Sequence, residues 1–427
     1  MSEDPPPKDP DDTGTGTGTG PDSVPELEEG RASSEVAPAA TGLPDILGLS
    51  AVKEPWYRAL LVPLLAVVTA LAVGALIVLL SGRNVGDAYY ALFTGSIGNP
   101  RQIVDAIGSG DIVQIRHAFF PLSETIVTAT PLILAGLSVA LGFRAGLFNI
   151  GAQGQIVAGG ILAIMAAFSF GGLPGPIHLA LIVLAGMAGG AVWGSIPGVL
   201  KAKTGAHEVI TTIMLNFVAF RLSDYVLTTD LFQRTGSDTP VSKTSLALFP
   251  HLFGASLRVN AGIIVALIAA VLVGWLLNRT TWGFEFRAVG ANPNAAKTAG
   301  MSPTRTYIVV MALAGALAGL AGAIQLSSVT PSLSAGLLQN VGFDAIALAL
   351  LGRSRPGGVV AASFLFAALR TGGVNMQAAT DVPIDLVTVI QAMVIMFVAA
   401  PALIRGLYRI RARRAMAPEA FTKGWSG

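Results

Sequence analysis

The sequence predicts an all-α, polytopic bundle of transmembrane helices with a disordered N-terminal tail, and three observations lead to this class. Hydrophobic residues make up 52% of the 427 residues and charged residues only 12%, against roughly 25% charged residues in soluble globular proteins. The apolar residues recur in stretches that are long enough to cross a bilayer. Gly contributes 50 residues, and small side chains let the backbones of membrane helices approach closely.

Residues 1–50 differ in composition, with PPPKDPDD, the repeat TGTGTGTG and an acidic cluster at Glu26, Glu28 and Glu29. Such a segment contains too little apolar surface to offset the entropy that is lost on folding. It also lacks the basic start, the short apolar core and the cleavage site of a secretory signal. We therefore expect a disordered cytoplasmic tail.

The membrane domain is expected to cover residues 56–405, followed by a basic cytoplasmic tail at 406–427. A shorter apolar piece at 342–352 has the length of a half-helix, or of the first part of a broken one. Together with the longer stretches it gives about nine or ten membrane elements, including broken or half helices. The longer stretches are 58–80, 124–143, 147–168, 177–200, 209–228, 261–278, 306–326, 357–372 and 384–404.

The positions of Lys and Arg predict the orientation, because cytoplasmic loops carry more of these residues than external loops do. With the N-terminus inside, the basic residues concentrate in the segments that fall on the inner side. The external loops, at about 81–123 and 229–260, are longer, and their basic residues are more widely spaced. We therefore expect both termini to be cytoplasmic. The inner basic residues include Lys201, Lys203, Arg279, Arg287, Lys297, Arg305, Arg353, Arg355 and Arg405.

The inner loop at 279–305 contains signals for a short helix. Asn292 is a favourable N-cap, and Pro293 suits the first helical position, where its missing N–H costs nothing. Gly300 is a natural helix stop. A helix of about two turns is too short to be stable alone, so it needs a surface to dock on.

Two interpretations of this short helix stay open from the local pattern. It is either an ordinary amphipathic connector or a coupling helix, which sits in a groove of a cytoplasmic ATPase and transmits the motion of that ATPase. Ala295 and Ala296, followed by Gly300, fit the second interpretation, because small side chains allow a partner surface to come close.

Five sequence blocks follow one another in the second and later membrane stretches. They are ETIVTATPLILAGLSVALGFRAGLFNIGAQGQ at 124–155, KAKTGAHEVITTIMLNFVAFRL at 201–222, RAVGANPNAAKTAGMS at 287–302, GFDAIALALLGRSRPGG at 342–358 and MQAATDVPIDLVTVIQA at 376–392. With these blocks the chain resembles the permease subunits of ATP-binding-cassette importers of the branched-chain amino acid and simple-sugar type, and within them the nucleoside branch. The resemblance covers about 120–405, and five blocks in order are more specific than any single motif.

The resemblance implies an all-helical importer domain in a bacterial cell membrane. Its implied partners are a second permease subunit, cytoplasmic ATP-binding-cassette ATPases and an external substrate-binding lipoprotein. The partner ATPase would use ATP, and this chain would hold no cofactor. One departure is Gln153, which stands where this branch usually has Glu, so that ligand preference or proton sensitivity could differ. The expected coupling residues are Gly290, Asn292, Pro293, Ala295, Ala296 and Gly300.

Three amides, Asn149, Gln153 and Gln155, are expected at membrane depth among glycines. Unpaired polar groups are costly there, so these side chains should face a cavity or a partner helix. The glycines suggest a broken helix, whose free backbone groups transporters use to bind polar substrates. Asn149 and Gln153 share a face if the stretch is helical. The amides are interpreted either as substrate-pathway residues or as helix-to-helix hydrogen bonds.

Further candidates for the substrate pathway lie in three later spans. Thr212 and Asn216 form a polar stripe on an otherwise apolar helix, and such a stripe either lines a passage or joins two helices. Phe343 and Asp344 open the short apolar piece, where Asp344 is either a capping group or a pathway residue. Gln391 is the lone amide in the last span and contacts either the ligand or a neighbouring helix.

Several function classes lack support in the sequence. There is no phosphate loop of the form Gly-x4-Gly-Lys-Ser/Thr and no His-Glu-x-x-His. Cys is absent, and the four His residues are dispersed. A net charge of +2 gives no support for a nucleic-acid surface. These absences argue against an enzyme and against ATP hydrolysis by this chain. The expected role is that of a transport subunit, with membrane lipid around its apolar spans.

Two other classes are weaker alternatives. An ion-coupled secondary transporter should carry carboxylates in the middle of its spans, and few are present here. A membrane-embedded enzyme should show a catalytic cluster, and none is found. The expected function is therefore the translocation path of an importer, with a nucleoside as the first choice of solute and a simple sugar as the runner-up.

Overall fold

The computed structural model describes residues 56–237, 239–244, 247–254, 256–338, 340–383, 385–399, 403–404 and 407–408. The predictions for the tail at 1–50 and for nearly all of 406–427 lie outside these residues. Within them the regular elements are helices, accompanied by three isolated β-bridges. The predicted all-α class is confirmed.

Fourteen α-helices and one short π-helix make up the described part of the chain. They are α1 (Trp56–Leu80), α2 (Val85–Ile97), α3 (Pro100–Ser109), α4 (Ile112–Arg144), α5 (Ala152–Ser169), α6 (Gly175–Thr204), α7 (Glu208–Leu227), α8 (Gly262–Arg279), α9 (Thr281–Ala291), α10 (Pro293–Thr298), α11 (Pro303–Ile324), the π-helix (Gln325–Val329), α12 (Val341–Leu351), α13 (Pro356–Thr380) and α14 (Asp385–Ala399).

Eight of these helices are long and apolar enough to cross a membrane, and two more apolar helices, at 341–351 and 385–398, are shorter. The count agrees with the nine or ten membrane elements expected from the sequence. The half-helix predicted at 342–352 is found as α12. The chain is therefore a multi-pass membrane protein.

Two expected loops are helical, and these expectations were wrong. The external loop predicted at 81–123 contains α2, α3 and the first turns of α4, and the inner loop at 279–305 contains α9 ahead of α10. Polar N-caps begin each of them: Asn84, Asn99, Asp111 and Thr280 each accept a hydrogen bond from a backbone N–H of the first turn. These helices are less apolar than membrane spans, so a search for long apolar stretches does not find them. Their N-cap residues nevertheless indicate where each helix begins.

Helix α4 lies at the centre of the bundle. Every residue from Ala129 to Gly142 is buried, and α11, α12, α13 and α8 pack around the helix. The hydrophobic core therefore forms around α4, and polar groups near its ends are held within the protein rather than in lipid.

Helices α5, α6 and α11 pack through glycines. A Cβ placed on Gly315 would lie 2.2 Å from the Gly190 carbonyl oxygen, and a Cβ placed on Gly319 would lie 2.1 Å from the Gly186 oxygen. Gly159 of α5 approaches Gly319 in the same way. Backbones at this separation gain dispersion energy from contacts that larger side chains would prevent.

The two ends of the bundle differ. At one end, here called the α10 end, α4 finishes, α7 begins and α10 lies between α9 and α11. At the other, the loop end, residues 228–261 are tied to α4 and to the segment after α11. Arg258 bonds Glu124 at 3.0 Å, and the Val259 N–H donates to Ser123 Oγ at 3.1 Å. Ser242 exchanges backbone and side-chain hydrogen bonds with Leu333.

A second interruption follows the π-helix. The Arg258 side chain donates to the Val329 carbonyl at the loop end, and the described residues 330–338 and 340 lie between the π-helix and α12. Helix α12 continues to the α10 end, where Arg144 Nε donates to the Ser354 carbonyl at 3.0 Å. With 11 residues, α12 is about 16 Å long, roughly half of a ~30 Å hydrocarbon core. A helix of this length reaches only about halfway across such a core.

Candidate functional site

The first helix break separates α4 from α5 at residues 145–151. Gly146 adopts a φ of +70°, which suits a residue without a Cβ. The Leu147 N–H then donates to the Gly142 carbonyl at 3.0 Å, which closes the end of α4. The predicted broken helix is confirmed here, and α5 begins at Ala152 rather than near 147.

Asn149 and Gln155 form a reciprocal amide pair inside this break. Asn149 Nδ2 donates to Gln155 Oε1 at 3.0 Å, and Gln155 Nε2 donates to Asn149 Oδ1 at 3.1 Å. Both side chains are buried. Because Asn149 precedes α5, it does not share a helix face with Gln153, as it would have done in a continuous helix.

Asn216 of α7 supplies hydrogen bonds to the same break. Its Oδ1 accepts from the Gly154 N–H at 2.8 Å, and its Nδ2 donates to the Ile150 carbonyl at 3.0 Å. The Asn216 side chain therefore satisfies a backbone N–H in the first turn of α5 and a backbone carbonyl in the turn before α5. Thr212, one turn earlier on α7, bonds the Glu208 carbonyl of its own helix and lies against Gly151.

Gln153 joins the first break to the second. Its Oε1 accepts from the Gly342 N–H at 2.8 Å, and its Nε2 donates to the Leu338 carbonyl. Asn340, at the N-cap of α12, makes no side-chain capping bond, so Gln153 provides this cap from another helix. Gly342 is required by space, since a Cβ there would lie 2.3 Å from the Gln153 nitrogen.

These five polar residues, predicted as pathway residues or as helix-joining residues, are buried and bonded within the chain. The bonds observed are of the helix-joining kind, and direct contact with a substrate stays a prediction. A small cavity of about 20 Å³ lies between α5, α7 and the returning segment, lined by Val157, Phe220, Asp224 and Leu338 among others.

The remaining predicted pathway residues lie elsewhere. Phe343 is 44% exposed, and Asp344 beside it is half-buried at the start of α12. Gln391 is half-buried on α14, a helix that packs on α12. Among the residues described, Gln391 makes no side-chain hydrogen bond to another predicted pathway residue. The structure therefore brings together the amides around the two breaks, but not all eight predicted positions.

The predicted coupling segment forms as expected from its caps. Asn292 Oδ1 accepts from the Asn294 and Ala295 N–H groups, both at 3.0 Å, and Pro293 opens α10. Gly300 follows the helix with a φ of +85°. Ala295 is exposed, whereas Ala296 is 4% exposed. The buried side chain of Ala296 therefore packs α10 against the rest of this chain. Ala295, by contrast, is accessible to a partner protein.

The coupling segment touches the first break directly, a contact that the sequence did not indicate. A Cβ placed on Gly290, near the end of α9, would lie 2.6 Å from the Arg144 carbonyl oxygen and 2.8 Å from the Gly146 nitrogen. The two backbones are therefore in contact without intervening side chains. A displacement of α9 and α10 must then displace the break or separate from it.

An ionic contact lies beside this segment at the α10 end. Lys201 at the end of α6 bonds Glu208 at the start of α7, with 2.5 Å between Nζ and Oε2. The same ammonium lies 5.5 Å from the centre of the Tyr307 ring on α11. Three helices that surround the breaks are thus joined here. Within the described part of the chain, no three His, Asp or Glu residues come together in a metal-binding group.

Known proteins resemble this chain over the region that contains these residues. A family model described as the permease component of branched-chain amino acid transport systems matches residues 122–399. The guanosine ABC transporter permease protein NupP of Bacillus subtilis is 40% identical over 350 residues, which is 81% of this chain and 94% of the relative. No solved structure gives a significant match.

Two further relatives have comparable coverage. The nucleoside ABC transporter permease protein NupB of Lactococcus lactis subsp. cremoris is 37% identical over 81% of this chain and 92% of its own length. The glucose ABC transporter permease protein TsgB13 of Haloferax volcanii is 36% identical over 80% of this chain and 88% of its own length. The similarity thus extends well beyond the site.

The bonds of Gln153 lead to a test of how the two breaks are joined. Gln153→Glu keeps the acceptor for the Gly342 N–H but, when ionised, cannot donate to the Leu338 carbonyl, and an unsatisfied buried group costs about 1–3 kcal/mol. We expect the purified variant to unfold at a lower temperature than the wild type at about pH 8, where a free carboxyl is ionised. The difference should narrow at about pH 4, close to the pKa of a free Glu carboxyl, because a protonated carboxyl can donate.

The control is Gln102→Glu on the exposed surface of α3, which should change the unfolding temperature little at either pH. Equal unfolding temperatures for Gln153→Glu and the wild type at the higher pH would show that the bond to Leu338 does not hold the second break.

Proposed function

This chain belongs to the family of branched-chain amino acid transport permease components, and we propose that it forms part of the membrane passage of an importer for nucleosides. It is an ABC transporter permease, a transport component rather than an enzyme. Identity of 40% and 37% to guanosine and nucleoside permeases, over most of each length, carries the proposal. The similar glucose permease makes a simple sugar the second candidate.

The proposed orientation places the α10 end in the cytoplasm, with both termini on that side. Lys and Arg support it, because the α10 end and its short loops are rich in them and cytoplasmic loops carry such an excess. The basic residues at the loop end lie in longer segments, which cross the membrane largely regardless of charge. Those at the α10 end include Arg144, Lys201, Lys203, Arg279, Arg287, Lys297, Arg305, Arg353 and Arg355.

Permeases of this family work with an ATPase and a substrate-binding protein. We place the ATPase at α10, where the exposed residues Asn294, Ala295 and Lys297 form a surface. This surface lies next to Ala296, which is buried against the rest of the chain. The substrate-binding protein, an external lipoprotein, would meet the loop end. ATP would be used by the ATPase, and this chain would hold no cofactor.

A second permease subunit is proposed to complete the passage. Phe343 is 44% exposed at the membrane-centred end of α12, and Asp344 beside it is only half-buried. Charged groups at this depth are costly unless they face protein or water. A partner permease that packs beside α12 and leaves a polar space there keeps both the Phe343 ring and the Asp344 carboxylate out of lipid. The buried amides of the two breaks then support the wall of the passage from behind.

The proposed substrate leads to a transport experiment. The chain is reconstituted in proteoliposomes with its partner permease, ATPase and binding protein, and uptake of radiolabelled guanosine and uridine is measured with and without ATP. We expect uptake that depends on ATP and is not reduced by excess glucose. Glucose uptake without nucleoside uptake would favour the second candidate. Nucleoside uptake driven by an ion gradient, with this chain alone, would contradict the ABC mechanism.

The proposed coupling role of α10 leads to a second experiment in the same system. Ala295→Trp places a large side chain on the exposed side of α10 and should weaken docking of the ATPase, since such contacts depend on close approach. We expect uptake to fall by about tenfold, while the ligand still binds to the isolated binding protein and the variant folds. Ala295→Ser, which keeps the side chain small, is the control and should transport normally. Normal uptake by Ala295→Trp would remove the coupling assignment from this face.

A further inference from the structure

One face of α13 changes from buried to exposed halfway along the helix. Val359, Ser363 and Phe366 are buried, whereas Arg370, Val374 and Gln377 are exposed. These positions are spaced three or four residues apart, so all six lie on the same side of the helix. The change therefore reflects what covers this side, and not a rotation from one side to another.

The half-helix α12 packs against the beginning of this face, at Val359. A Cβ placed on Gly136 of α4 would lie 2.7 Å from Val359 Cγ1 and 3.3 Å from Leu348 Cβ, so α4, α12 and α13 meet there. Gly352, at the end of α12, also lies against the Val359 backbone. Because α12 is only about 16 Å long, it ends before Arg370 is reached, and the second part of the face is open.

The open part contains opposite charges and an aromatic ring. Arg370 is exposed on α13, and Asp344 lies half-buried in the first turn of α12, a helix that packs on α13. The ring of Phe343 is 44% exposed. Among the described residues, Arg370 makes no ion pair within 4.0 Å. An arginine that far along a membrane helix should face water or a partner protein rather than lipid.

We propose that Arg370 is a specificity-determining residue of the passage, which contacts the solute through its guanidinium N–H groups. The inference rests on the proposed function and extends it to a residue of contact. Guanidinium N–H groups suit the hydroxyl and carbonyl oxygens of a nucleoside, and the ring of Phe343 offers a face for the base. Asp344 balances the charge of Arg370, so the space accepts polar solutes without net charge.

The central experiment compares charge variants in the complete reconstituted complex. R370Q should assemble, but its uridine uptake should fall by about tenfold, because a hydrogen bond from a charged group is lost and Asp344 is left unbalanced. The double variant D344N/R370Q removes both charges and should recover about threefold over R370Q. R101Q, on the exposed surface of α3, is the matched control and should transport normally.

Uptake by R370Q within about twofold of the wild type would overturn the proposal, because loss of a charge-assisted contact should exceed that change. A double variant no better than the single one would overturn the charge balance with Asp344. If R370Q does not assemble, R370K decides, since Lys keeps the charge but not the planar fork. A raised KM for uridine in R370K, with the maximal rate little changed, supports a solute contact, and an unchanged KM contradicts it.

The proposed substrate and the proposed contact fail in different ways. If the wild-type complex takes up glucose and not uridine, the nucleoside assignment fails, and the same variants are then tested with glucose. If the wild type takes up uridine and R370Q does so equally well, only the role of Arg370 fails.

Discussion

The structure depends on one requirement: every backbone N–H and C=O group inside the bilayer needs a hydrogen-bond partner within the protein. In the described part of the chain, helical geometry is interrupted twice inside the bundle, at residues 145–151 and at residues 330–338 and 340. Asn216 satisfies backbone groups of the first interruption, and Gln153 satisfies those of the second. Two amide side chains thus make possible a membrane bundle that contains a half-helix, and with it an uncovered polar space.

Close packing of glycines links this arrangement to the coupling segment. Gly186 and Gly190 bring α6 against α11, and Gly290 brings the end of α9 against the first break. Because no side chains intervene, there is little room for a movement at α10 to be absorbed locally. Between the proposed ATPase contact at α10 and the amides around Asn149, the contact at Gly290 joins backbone to backbone.

Much of the fold follows from the sequence, because long apolar stretches and local caps determine it. The spans, the half-helix at 341–351 and the short helix opened by Asn292 and Pro293 were predicted from such signals. Helices α2, α3 and α9 were not predicted, because they are short and less apolar than the membrane spans. Their N-cap residues nevertheless indicate where they begin. The bond between Gln153 and Gly342 was not predictable, since it joins residues that are 189 positions apart. Arg370, in contrast, was overlooked although it is the one charged residue of the predicted span 357–372.

We propose that the N-terminal end of α12 opens on a water-filled passage near the middle of the membrane. Because the chain contains no Cys, single cysteines can be introduced at Phe343, which is 44% exposed, and at Phe366, which is 1% exposed. The assembled complex is then treated with a membrane-impermeant thiol reagent. The account predicts that the cysteine at 343 reacts, that the cysteine at 366 does not, and that uridine slows the reaction at 343. An unreactive cysteine at 343, in a complex that still transports, would contradict it.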